Sequence, residues 1–146
     1  MKRILGLMAI LVIVFGFTAC SKKTTDVTVI PNSDINVVQG VYYYMKQYEA
    51  KRNMDTDKEI ILVDVRTPEE YAEIHIPGSI LIPLDTIEAE AGNKLKDKDG
   101  TIYVYCRSGN RSTSASKILA DLGYTKVYNI GGITSWPYET EKGGSK

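Results

Sequence analysis

The chain has 146 residues, of which 43% are hydrophobic and 25% charged, and its 18 basic and 18 acidic side chains cancel to a formal charge of zero. That balance gives no support to nucleic-acid binding, and one histidine with the single cysteine left once Cys20 is lipidated, as read below, cannot fill the usual ligand sets of a metal site. The length suits one domain with its own core; the sequence has no internal repeat, and nothing in it calls for a cofactor.

Lys2 and Arg3 precede an apolar stretch from Ile4 to Phe17, after which small residues lead to Cys20. Charge, length and flanks read as a secretory signal peptide over residues 1–19, too short for a comfortable membrane span. Phe17-Thr18-Ala19-Cys20 resembles the bacterial lipobox, with phenylalanine in place of the usual leucine, and that resemblance implies lipidation of Cys20 as the mature N-terminus. An uncleaved anchor and a plain signal peptide are the competing readings. Lipidation is favoured because the cysteine stands where small residues end the apolar run. Residues 20–26 then form a polar tether, and the protein is expected to be exported and held on a bacterial membrane by its lipid. With two membranes, Ser21 resembles an outer-membrane sorting signal. Loss of Lys2 and Arg3 leaves 16 basic and 18 acidic side chains.

The globular domain is expected over residues 27–140. Val27 to Ile30 reads as a short strand. A helix follows from about Asp34 to Arg52, with Val37, Val38, Val41, Tyr44, Met45 and Tyr48 on one face. Tyr42, Tyr43 and Tyr44 cannot all face one way on it, so at least one is exposed. Ile60 to Val65, apolar but for Asp64, fits a central parallel strand. Thr67 is an N-cap, Pro68 takes the first helical position and Glu70 completes a capping box for a short helix ending before His75. Ser79 to Ile82 is the next strand, and Leu84 to Ala91 a short helix ending near Gly92. Thr101 to Tyr105 is a buried strand. Beyond a loop, Ala115, Ile118, Leu119 and Leu122 recur at helical spacing, and Gly123 closes that helix. Val127 to Ile130 is the last strand, Gly131-Gly132 turn, and a final helix spans about Ile133 to Glu139. Glu141 to Lys146 is a flexible tail. Strands alternating with helices imply a parallel sheet of about five strands with helices on both faces, an α/β domain.

The loop Cys106-Arg107-Ser108-Gly109-Asn110-Arg111-Ser112 leaves the carboxyl end of a strand and enters a helix, the place where such sheets bind ligands. Free N–H groups and the helix dipole there favour an anion and lower a thiol pKa. Most free cysteines are inert core residues, but Cys106 follows the apolar run and precedes five residues that are not apolar. A nucleophile is the stronger reading. Lipidation consumes Cys20 and leaves Cys106 a lone thiol; a disulfide between the two is the alternative if lipidation fails.

Several stretches together resemble the rhodanese (sulfurtransferase) family. These are Cys106 to Arg111 as its active loop, Ile61 to Tyr71 as its early strand and helix start, His75-Ile76-Pro77-Gly78-Ser79-Ile80, and Gly131-Gly132 with Trp136. One departure is Ile74, where the family usually has glycine, so that turn is expected to differ. The resemblance implies a rhodanese-like fold and a double displacement. In it, Cys106 takes the outer sulfur of an anionic donor such as thiosulfate, and a thiol or cyanide accepts it. The loop N–H groups from Arg107 to Arg111 would cradle the persulfide. Arg107 and Arg111 would orient the donor, and Ser108 and Asn110 belong to the same binding loop, with Gly109 supplying its turn. The protein is expected to act as a monomer.

Two other readings stay open. Phosphatases and arsenate reductases of the Cdc25 type share the fold, but their loop is one residue longer and sets an arginine where this chain has Ser112. A non-catalytic carrier or binding module is the third, against which Cys106 argues. His75 is expected to anchor a turn rather than act as a base, Asp64 and Arg66 to pair with each other or with that turn, and Trp136 to cap the core.

Overall fold

The computed structural model describes residues 40–144. The signal-peptide segment, Cys20, the tether and the expected strand at Val27–Ile30 lie outside them. Five strands form one sheet in the order β1-β5-β4-β2-β3. They are β1 (Tyr43–Tyr44), β2 (Ile61–Asp64), β3 (Ile80–Leu81), β4 (Thr101–Cys106) and β5 (Lys126–Gly132). Every pairing is parallel, as the helix-strand alternation requires. The connecting helices are α1 (Gln47–Thr56), α2 (Pro68–Glu73), α3 (Ile87–Lys94) and α4 (Asn110–Asp121).

Alternation along β4 divides the core. Ile102, Val104 and Cys106 pack with Ile87 and Ala91 of α3 and with Ala115 and Leu119 of α4. Tyr103 and Tyr105 point the other way, toward Ala50 of α1 and Trp136. Helices therefore cover both faces, and Trp136 caps one of them. The strand period of two brings Cys106 out on the α4 side, at the strand's carboxyl end.

Three elements differ from the sequence reading. Residues 34–39 of the helix expected from Asp34 to Arg52 lie outside the described residues; within them the helix begins at Gln47, because Tyr43 and Tyr44 pair with Tyr128 and Asn129 at the edge of β5. The Met45 N–H continues that ladder to the Asn129 carbonyl at 3.0 Å. A run of three tyrosines suits an extended edge better than a helix, and Tyr44 is the most exposed at 71%. Helix α3 starts later than expected and runs through Gly92 to Lys94. The final helix is only a 3-10 turn, Ile133–Ser135, since Pro137 denies the backbone a donor two residues on.

The capping box at α2 forms as read: Thr67 Oγ1 accepts from the Glu70 N–H, and Glu70 accepts from the Thr67 N–H. Ile74, where the family usually has glycine, sits at φ −164°, ordinary extended backbone that needs no glycine. His75 is buried, stacked on Tyr71 at 3.9 Å, with Nδ1 against the Tyr71 carbonyl and Nε2 against Glu141. Glu141, assigned to the tail, also bridges His75 through its backbone. His75 therefore anchors a turn.

Asp64 and Arg66 form a buried ion pair at the end of β2, with Arg66 Nη2 2.6 Å from Asp64 Oδ2 and Nε 2.9 Å from both carboxylate oxygens. Arg66 also donates to the Ile74 carbonyl at 2.5 Å, so both partners of the sequence reading are met. Removing one member of a buried pair strands the other charge. Arg66→Ala is expected to lose about 3–5 kcal/mol of stability, read by denaturant unfolding; a loss within error of zero would show that Asp64 is otherwise solvated.

Candidate active site

The loop begins where β4 ends. Cys106 is 1% exposed, and its Sγ accepts the Gly109 N–H at 3.1 Å. Burial by itself pushes the thiol up. The backbone N–H groups of Ser112, Gly109 and Ser108 and the Ser112 hydroxyl outweigh it, and the thiol lies below its usual value. Backbone dipoles and a hydroxyl, rather than a neighbouring base, thus shift the thiol toward its thiolate form.

Peptide geometry dictates how that cradle is held. Turning the Ser108 N–H toward sulfur turns the Arg107 carbonyl, on the same peptide, away from it. That carbonyl accepts from the Thr134 N–H at 3.1 Å and from Thr134 Oγ1 at 2.9 Å. Gly109 stands at φ +108°, a left-handed conformation suited to glycine. Its carbonyl accepts from the Thr113 N–H, Thr113 Oγ1 and Ser112 Oγ. Gly132 lies against the loop so closely that a Cβ there would collide with the Arg107 carbonyl and come within 2.6 Å of Ser108 Cα.

An irregularity in the β4–β5 pairing brings Gly132 there. Val104 pairs with Asn129 but Tyr105 with Gly131, so Ile130 is an extra residue in the ladder. The buried Asn129 side chain repairs the break. Its Oδ1 accepts from the Gly131 N–H and from Ser112 Oγ, and its Nδ2 donates to Thr113 Oγ1.

The expected binding residues divide into two groups. Arg107, Ser108 and Asn110 are exposed, and their side chains make no hydrogen bond or ion pair with another described residue. Arg111 does not stand free at the mouth. Its Nη1 and Nη2 meet Glu70 Oε2 and Oε1 at 2.6 and 2.8 Å. That fork holds the Glu70 carboxyl down to about 2 and raises the Arg111 guanidinium further. Glu70, Asn129 and Thr134 are the site residues that the sequence reading did not select, while Ser112 closes the loop that it did. Only Glu70 carried a local signal, its capping-box position. A groove of about 470 Å³ runs past Ser108, walled by Tyr44, Gln47, Tyr48, Gly132 and Tyr138. Among the described residues no cluster of His, Cys, Asp and Glu could hold a metal ion.

A parallel α/β domain with a lowered thiol in a loop of inward N–H groups belongs with the cysteine enzymes that meet small anions at a helix start. Residues 46–138 match the rhodanese-like domain, and the chain belongs to that family. It is 42% identical over 71 residues to the thiosulfate sulfurtransferase PspE of Escherichia coli, a match covering 49% of this chain and 68% of that protein. It is 40% identical over 88 residues to a sulfurtransferase of Allochromatium vinosum, covering 60% of this chain and 79% of the relative. A solved rhodanese with anions from E. coli superposes with a TM-score of 0.55 at 38% identity, over 57% of this chain and 99% of that one. These relatives support a sulfur-transfer role.

Ser112→Ala removes the hydroxyl that favours the thiolate, and its loss raises the thiol. Alkylation of Cys106 by iodoacetamide, followed by peptide mass, is expected to slow at least several-fold near neutral pH. Its rate profile is expected to move to higher pH. An unmoved profile would assign the lowered thiol to the backbone donors alone.

Proposed function

We propose that the protein is a thiosulfate sulfurtransferase working through a Cys106 persulfide. The Cys106 thiolate attacks the outer sulfur of thiosulfate; the S–S bond breaks and sulfite leaves with its electron pair. The charge passes to the terminal sulfur of the persulfide, where the loop N–H groups stabilise it. A thiolate or cyanide then attacks that sulfur and releases the Cys106 thiolate. Arg107, at the rim, attracts the donor, with Ser108 and Asn110 beside it and Arg111 at the end of the loop.

The observation that carries this reading is the cradle itself: inward N–H groups around the Sγ of Cys106 at the carboxyl end of β4. The phosphatase and arsenate reductase alternative needs an arginine at position 112. Ser112 is buried there with its hydroxyl on Asn129 and backbone carbonyls. A purely binding role leaves the lowered thiol without a purpose.

The full chain incubated with thiosulfate is expected to gain the mass of one sulfur at Cys106. Cyanide should remove it with release of thiocyanate, and Cys106→Ser should gain nothing. No gain in the unaltered chain would remove thiosulfate as donor, and sulfur at any other residue would end the mechanism.

The same reading places the domain, as a monomer, on the outer side of a bacterial membrane through lipid on Cys20. The charged start, apolar stretch and lipobox-like Phe17-Thr18-Ala19-Cys20 support it. Expressed in bacteria fed a labelled fatty acid, the chain should take up label, and Cys20→Ser should not. Equal labelling of both would exclude Cys20 as the anchor.

A further inference from the structure

Two arginines lie in the loop, yet only one brings uncompensated charge to it. Arg111 meets Glu70 through both terminal nitrogens, in the forked geometry that makes such pairs strong. The carboxylate is not there by chance. Thr67 N–H donates to the same Oε2 at 3.1 Å, so the start of α2 holds Glu70 in place before any substrate arrives. The side chains of Arg111 and Glu70 are 33% and 24% exposed, so solvent screens the pair only in part. The Arg111 guanidinium is close enough to feel the Cys106 thiolate, which raises it further. Glu70 must then act on whatever charge meets that sulfur. Asp64 and Arg66 behind it already cancel each other.

We propose that Glu70 is a specificity-determining residue: by compensating Arg111 it lowers the positive charge at the loop and so sets how strongly a doubly charged sulfur donor is preferred over a singly charged one. It touches no reacting atom and acts through Arg111 and the local field. The energy of an ion in that field scales with its charge. A dianion therefore feels the Glu70 charge about twice as strongly as a monoanion presenting the same outer sulfur. This rests on the sulfur-transfer reading, since it concerns the first half-reaction: thiolate plus thiosulfate to persulfide plus sulfite, or thiolate plus methanethiosulfonate to persulfide plus methanesulfinate.

The test measures kcat/KM of the full chain for thiosulfate and for methanethiosulfonate, with cyanide as acceptor. Glu70→Gln is expected to raise kcat/KM for thiosulfate by roughly 3- to 10-fold, and for methanethiosulfonate by about the square root of that factor. Glu70→Asp, which keeps the charge, should hold the donor ratio of the unaltered chain. Arg111→Gln should shift the ratio the opposite way, and the double variant, neutral again at this pair, should restore it. Thermal unfolding checks that each variant is folded; should Glu70→Gln fail to fold, the Arg111→Gln ratio alone decides by its sign. Equal factors for the two donors, or Asp behaving as Gln, would overturn the proposal while leaving sulfur transfer intact. Failure of the unaltered chain to transfer sulfur from either donor would end both.

Discussion

A peptide cannot aim its N–H inward without aiming the preceding carbonyl outward, and at Ser108 the Cys106 loop meets that constraint through the turn after β5. Thr134 holds the outward Arg107 carbonyl, while Thr113 and Ser112 hold the Gly109 carbonyl at the start of α4. An unpaired carbonyl in so tight a turn would cost free energy comparable to a lost hydrogen bond. The C-terminal turn after β5 is therefore part of the site, although no side chain from it approaches the sulfur in the chemistry proposed. Asn129 extends the same logic, since the extra residue at Ile130 would otherwise leave the Gly131 N–H without a strand partner.

Charge is treated in a parallel way. Both arginines fixed near the mouth, Arg66 and Arg111, are committed to carboxylates carried by or next to the same strand-helix corner, Asp64 and Glu70. One pair is buried and serves the corner beside His75; the other is half-exposed and faces the loop. In the chemistry proposed, the donor then meets Arg107 at the rim and backbone N–H groups within, which carry no net charge and cannot be titrated away.

Legibility in the sequence followed the range of the interactions. The capping box at Thr67 and Glu70, the apolar stretches that form β2, β3, β4 and β5, and the glycine turn at Gly109 are local, and each was legible in its few residues. The run Tyr42-Tyr43-Tyr44 deceived a helical reading because Tyr44 continues the helical spacing of Val41, Met45 and Tyr48, whereas the deciding contact is with Tyr128 and Asn129, far along the chain. Thr134 and Asn129 carried no signal, because their importance lies in whose carbonyl or hydroxyl they meet after folding. Glu70 was legible for one role and not for the other: its reach across to Arg111 depends on how α2 and α4 pack over the sheet.

The absence of a Cβ at Gly132 has a thermal consequence. Because the loop rests directly on the Gly132 backbone and the Arg107 and Gly109 carbonyls are already tied, its backbone is ordered before the proposed sulfur transfer begins. The ordering cost is met once, during folding, rather than at every turnover. The barrier of the first step should accordingly be dominated by activation enthalpy, the breaking and making of sulfur–sulfur bonds, with an activation entropy close to that of simple encounter.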